Sequence, residues 1–156
     1  MSTQESLPVS LRDITGDNFE DVIRLKVRDD QTGFVASNVY SLAESKIFPD
    51  LIPLAIYAGE KLVGFTMYGA WPERKEYWIM RLMISAEEQG KGYGRASMQQ
   101  VIERLRSFSG CDKIKISYEP HNLCAKGLYA SLGFAVTGEM LEEEEVACLM
   151  LKADNR

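Results

Sequence analysis

The stretch that most constrains this chain runs from Tyr77 to Phe108. Tyr77 to Ile84 is an apolar, strand-like run that ends in a short acidic turn. The turn leads into Gln89-Gly90-Lys91-Gly92-Tyr93-Gly94. From Arg95 to Phe108, apolar Met98, Val101, Ile102, Leu105 and Phe108 recur at helical spacing. Strand, glycine-rich loop and helix, in that order, make a seat for an anion. The first N–H groups of a helix have no partner inside it, and the helix dipole adds positive potential at the same end. Glycines let the backbone come close and adopt the positive φ values such a loop needs.

The rest of the chain predicts one mixed α/β domain over residues 1–156. Val9 to Ile14 reads as a first strand. Phe19, Val22, Ile23 and Leu25 mark a helix to about Arg28, after a turn with Asn18 as its cap. Asn38 is placed to cap a second helix that Pro49-Asp50 ends. Ile52–Ala58, Leu62–Tyr68 and Tyr77–Ser85 then form a meander, with a charged turn at 72–76. After the long helix, Lys113 to Tyr118 alternates as a strand, and a short helix ends at Gly133. Phe134–Thr137 and Val146–Leu151 close the chain as a hairpin, with Gly138 to Glu145 as its loop. Residues 1–8 read as a loose lead-in. Helices are expected on both faces of the sheet.

Composition narrows the partners. The formal net charge is −5, which disfavours nucleic acid and suits a cationic small molecule. No apolar run is long enough for a membrane span, and no basic-then-apolar signal opens the chain, so a cytoplasmic location is expected. Cys111, Cys124 and Cys148 lack paired spacing and read as reduced thiols. With His121 as the single histidine, no metal site is expected.

Two spaced motifs carry a resemblance that spans nearly the whole chain. Gln89-Gly-Lys-Gly-Tyr-Gly94 matches a Gln/Arg-x-x-Gly-x-Gly/Ala loop. Downstream, Asn122, Ala125, Tyr129, Gly133 and Phe134 match Asn-x-x-Ala-x-x-x-Tyr-x-x-x-Gly-Phe. Both, in this order, resemble the Gcn5-related N-acetyltransferase superfamily. Phe34 to Glu44, Trp78 to Ile84 and the acidic tail loop are most similar to the bacterial spermine/spermidine acetyltransferases.

The resemblance implies acetyl-CoA as donor, a fold whose two central strands splay apart, and a dimer as a common assembly. Backbone groups from Gln89 to Gly94 would hold its pyrophosphate, with Lys91 and Arg95 adding charge. Leu82, Met83 and Ile84 would offer backbone to the pantetheine arm, Leu82 and Ile84 pointing opposite to Met83. Asn122 would cap its helix or touch pantetheine, and Lys126 would reach a CoA phosphate. Tyr129 would be the acid that meets the leaving sulfur. His121 reads as an exposed turn residue.

The base stays open. Some relatives carry a glutamate on the strand before the loop, where this chain has Met80 and Arg81. A water held by backbone groups, Glu76, Ser117 or Glu119 is the alternative. On the acceptor side, Glu142, Glu143, Glu144 and Glu145, with Glu76 and Tyr77, are candidates to hold a polyamine's spaced ammonium groups. Other amines, including aminoglycosides, amino acids and protein N-termini, are the rival acceptors. A non-catalytic acyl-CoA sensor is the rival of another class.

Overall fold

The computed structural model describes residues 8–71 and 73–151. The lead-in residues 1–7, residue 72 of the charged turn and residues 152–156 lie outside that range. Seven strands form one sheet in the order β1-β2-β3-β4-β5-β7-β6. They are β1 (Val9–Asp13), β2 (Leu51–Ala58), β3 (Lys61–Trp71), β4 (Glu76–Ile84), β5 (Lys113–Tyr118), β6 (Ala135–Leu141) and β7 (Glu144–Met150). All neighbours are antiparallel except β4 and β5.

The helices are α1 (Phe19–Arg24), α2 (Asn38–Ile47), α3 (Tyr93–Arg106) and α4 (Leu123–Ser131). Two cores divide the faces. On one, Met98, Val101, Ile102 and Leu105 of α3 and Tyr129 of α4 pack with Leu54, Ile56, Ile79, Ile114 and Ile116 of the sheet. On the other, Val22 of α1 and Leu42 of α2 meet Ala55, Phe65, Met67 and Met83. Leu82 and Ile84 pack on the first core and Met83 on the second, as strand alternation predicts.

Several boundaries differ from expectation, each for a local reason. The long helix begins at Tyr93 rather than Arg95, because Gly92, at φ 85°, turns the chain directly into it. α1 stops at Arg24, where Leu25 goes extended, and the carbonyl of Lys26 accepts from the N–H of Ala86 beside the glycine loop. Ser37, not Asn38, caps α2, its Oγ accepting from the N–H of Tyr40 at 3.1 Å. Asn38 is buried instead, donating to the carbonyl of Val22 at 2.9 Å and tying α2 to α1. Asn18 caps α1 without a side-chain bond into the helix; its Oδ1 accepts from the N–H of Thr15. The expected loop from Gly138 to Glu145 is mostly strand. β6 runs to Leu141 and β7 restarts at Glu144, so the turn is only Glu142-Glu143, with Glu142 at φ 56°.

The parallel pair is what opens the molecule. β4 and β5 pair only at Trp78↔Lys115 and Ile79↔Ile116. Met80 has no partner on β3, because Met67 pairs with Arg81 and Tyr68 with Ile79. A bulge there bends a strand and increases its twist. Beyond it, β4 continues to Ile84 and β5 to Tyr118 with a gap between them.

Candidate active site

The gap is the mouth of a cleft of about 1190 Å³. One wall is the β4 segment Trp78–Ile84. The other comes from Ile116–Tyr118 of β5, Glu119 just after it, and Tyr129 and its neighbours on α4. The glycine loop closes one end, and the β6–β7 turn and α2 close the other.

At the loop end, Glu88, Gln89, Gly90, Gly92, Tyr93 and Gly94 line the cleft. No backbone N–H from Gln89 to Arg95 donates to a described residue. A helix start and the loop before it thus stand at the cleft wall with donors unpartnered among the described residues, an arrangement suited to an anion. Gly90 and Gly92 sit at φ 81° and 85°, where a side chain is strained. The Gln89 side chain pins the loop, donating to the carbonyl of Ile84 at 2.9 Å and to Gln31 Oε1 at 2.8 Å.

The cations expected beside this seat are engaged elsewhere. Lys91 pairs with Glu88 at 2.9 Å, Arg95 donates to Ser131 at 2.6 Å, and Lys126 lies 3.4 Å from Glu145. None of the three lines the cleft. Glu88 is the buried counter-ion, with Lys61 as a second partner. Both lysines hold its carboxyl below the ordinary range, Lys61 foremost. The sequence flags Glu88 only as part of an acidic turn, and nothing in it singles out Gln31.

Along the walls, β4 has no strand partner on its β5 side past Ile79, leaving that edge open to a ligand between the carbonyls of Met80 and Ile84, which accept from the side chains of Arg81 and Gln89. Tyr129 is buried, with its ring 5.7 Å from that of Tyr118 and 6.1 Å from that of Phe134. Its hydroxyl makes no hydrogen bond to a described residue. Burial, then the charge of Glu144, then Tyr118, push its pKa far above the usual phenol value. At neutral pH it is therefore a phenol and a donor. Asn122 caps α4, Oδ1 accepting from the N–H of Ala125 at 3.2 Å, and also lines the cleft. His121 is exposed.

The far end is acidic. Tyr40 and Glu44 of α2, Trp71, Glu119 and Glu142 to Glu144 line it. Arg81, on β4, bonds Glu44 at 3.1 Å, which leaves Glu44 half-neutralised. Trp78 Nε1 and Arg81 Nε are buried without partners and belong to cleft-lining residues. Ser117 donates to Glu144 Oε1 at 2.7 Å. Of the predicted acceptor-side residues, Glu145 turns toward Lys126 and does not line the cleft. Glu76 and Tyr77, at the start of β4, do not line the cleft. Glu76 pairs with Lys115 at 2.6 Å, and Tyr77 donates to the carbonyl of Ser109 and packs on Phe108.

A splayed parallel pair beside a loop-and-helix anion seat defines an acyl-CoA-type acyltransferase fold. The profile of the Acetyltransferase (GNAT) family matches residues 19–134, and the chain belongs to that family. The chain is 30% identical over 140 residues to the spermine/spermidine N(1)-acetyltransferase of Bacillus subtilis strain 168, across 86% of this chain and 92% of that protein. Among solved structures, an acetyltransferase from Thermus thermophilus superposes with a TM-score of 0.74 at 18% identity, covering 95% of this chain and 100% of that one. A spermidine N-acetyltransferase from Vibrio cholerae, in complex with CoA and spermine, gives 0.71 at 17% identity, covering 90% and 93%.

Proposed function

We propose that this protein transfers the acetyl group of acetyl-CoA to a primary amine of spermidine or spermine, with both substrates bound in one cleft. The observation that carries the reading is the cleft's polarity. One end offers backbone N–H groups of the glycine loop and the first turn of α3, unpartnered among the described residues, to an anion, and the other end offers carboxylates to a cation. A phenol is buried between them. The Bacillus subtilis relative, similar over most of its length, supports the choice of amine.

The residues fit the donor. Free N–H groups from Gln89 to Arg95 would take its pyrophosphate, and the unpaired β4 edge would take the amide-bearing arm. Acetyl-CoA supplies a thioester whose acetyl group passes to the amine as the sulfur departs. The chain's own part is then to orient, exclude water and handle protons. Tyr129 donates a hydrogen bond to the sulfur. Its raised pKa makes it a poor proton giver to a thiolate, whose conjugate acid titrates near 8.5. The phenol's role is to stabilise charge where it develops. The acceptor needs the opposite service. An alkylamine is only about one part in 10³ neutral at pH 7. Glu44 and the Glu142-Glu143 turn attract the ammonium groups, and aromatic faces at Tyr40 and Trp71 cover the methylenes between.

Thiol release from acetyl-CoA across an amine panel tests the reading. Release with spermidine and spermine, and little with an aminoglycoside or an amino acid, is expected. Release with the latter two alone would refute the polyamine assignment.

A further inference from the structure

Strand register singles out one carboxylate at the acidic end. β5 pairs with β7 up to Tyr118↔Glu145, so Glu144 stands at the start of β7, just past the splayed end of β5. It is half-buried, unlike exposed Glu142 and Glu143. Ser117, from the splayed end of β5, fixes its Oε1 at 2.7 Å. Oε2 has no hydrogen bond to a described residue, and Glu144 lines the cleft together with Tyr129. Its charge is felt at the Tyr129 phenol. The charged and titratable groups around it are Tyr118 on β5, Glu119 just after it, Tyr129 on α4, Glu145 on its own strand and, across the gap, the Arg81–Glu44 pair. Other sources of a base are less well placed. Glu76 is paired with Lys115 outside the cleft, His121 sits exposed outside it, and β4 presents Met80 and Arg81.

We propose that Glu144, oriented by Ser117, is the group that takes the proton from the acceptor nitrogen. This rests on reading the cleft as an amine acetyltransferase site. The ammonium gives one proton to Glu144 Oε2, from which it passes to solvent. The freed amine forms the N–C bond, and the C–S bond breaks with its electron pair on sulfur. The nitrogen's second proton ends on the thiol. Ser117 is a positioning residue: it holds Oε1 and so aims Oε2.

The test is thiol release with spermidine for Glu144→Gln, Glu144→Asp, Ser117→Ala and an exposed control outside the cleft, Glu103→Gln on α3, from about pH 6 to about pH 10. Glu144→Gln should lower kcat about 100-fold at neutral pH with KM little changed. The deficit should narrow toward high pH, where solvent deprotonates the amine. Glu144→Asp should recover part of the rate, and Ser117→Ala should lose less than Glu144→Gln with the same pH trend. Glu103→Gln should keep kcat. A raised KM with kcat kept would make Glu144 an ammonium anchor instead and overturn the proposal. A loss of equal size at every pH would do the same, as would no loss. The acetyl-CoA-induced rise in Tm checks that each variant folds; if Glu144→Gln does not, the pH trends of Glu144→Asp and Ser117→Ala decide. If the wild type ignores polyamines but acetylates another amine, the polyamine reading falls and the same variants are read on that amine. If it acetylates none, both readings fall.

Discussion

Replacing Tyr129 with phenylalanine isolates one hydroxyl. The ring sits between Tyr118 and Phe134, and phenylalanine fills the same space. The hydroxyl bonds no described residue, so no internal hydrogen bond is lost, and the change in folding stability should stay within about 0.5 kcal/mol. In the proposed complex CoA is held by backbone at the other end of the cleft, so its Kd should not move. What is removed is a neutral donor aimed at charge building on sulfur. Hydrogen bonds to charged groups contribute about 1.5–3 kcal/mol, which corresponds to a fall of about 10- to 150-fold in kcat. Stopped-flow thiol release gives the rate, urea unfolding the stability and calorimetry the Kd. A variant that turns over at the wild-type rate would refute the role given to Tyr129. So would a slow variant that is also several kcal/mol less stable, since the slow rate would then report damage to the core.

Three further outcomes follow from the same geometry. Gly92→Ala forces a side chain into φ 85° and should weaken CoA binding about fivefold or more, from about 1–2 kcal/mol of strain, whereas Gly94→Ala, whose new Cβ would find its nearest neighbour 3.7 Å away at Leu128, should bind CoA as the wild type does in calorimetry. Gly64→Ala would place a Cβ 2.3 Å from the carbonyl oxygen of Met83, so it should separate β3 from β4 and lower stability by more than about 2 kcal/mol in urea unfolding; unchanged stability would contradict the close approach of these strands. Glu88→Gln probes acid sensitivity. Because the folded carboxyl lies below its ordinary 4.5, its contribution is present above that pH and lost as pH falls through the folded value. The variant should therefore show a shallower loss of stability between about pH 5 and about pH 3, and an unchanged slope would contradict the pairing with Lys61 and Lys91.

The sequence made the fold legible where a pattern was long and unmixed. α3 carries apolar residues at every expected turn, and β5 alternates buried and half-buried residues along its whole length. The glycine spacing located the anion seat because positive φ has few other tenants. Contacts made at long range left no such trace. The ion pairs that draw Lys91 and Lys126 away from the cleft depend on where Glu88 and Glu145 are buried, and Arg95 is held by a serine on another helix. The acidic run misled in a different way. Four consecutive glutamates read as part of one loop, yet β6 and β7 pair through Met140↔Glu145 and Leu141↔Glu144. That pairing puts Glu142 and Glu143 in the turn and sets Glu144 against Ser117. Tertiary pairing overrode a weak local preference, and in doing so it separated one glutamate of the run from its neighbours.

The account's central claim is that one cleft brings an acetyl donor at its loop end to a polyamine nitrogen at its acidic end. Incubating the purified protein with acetyl-CoA and spermidine, and following product by NMR alongside thiol release, addresses it directly. The account predicts N-acetylated spermidine in amounts equal to the thiol released. Acetyl-CoA that binds while spermidine stays unmodified would contradict it.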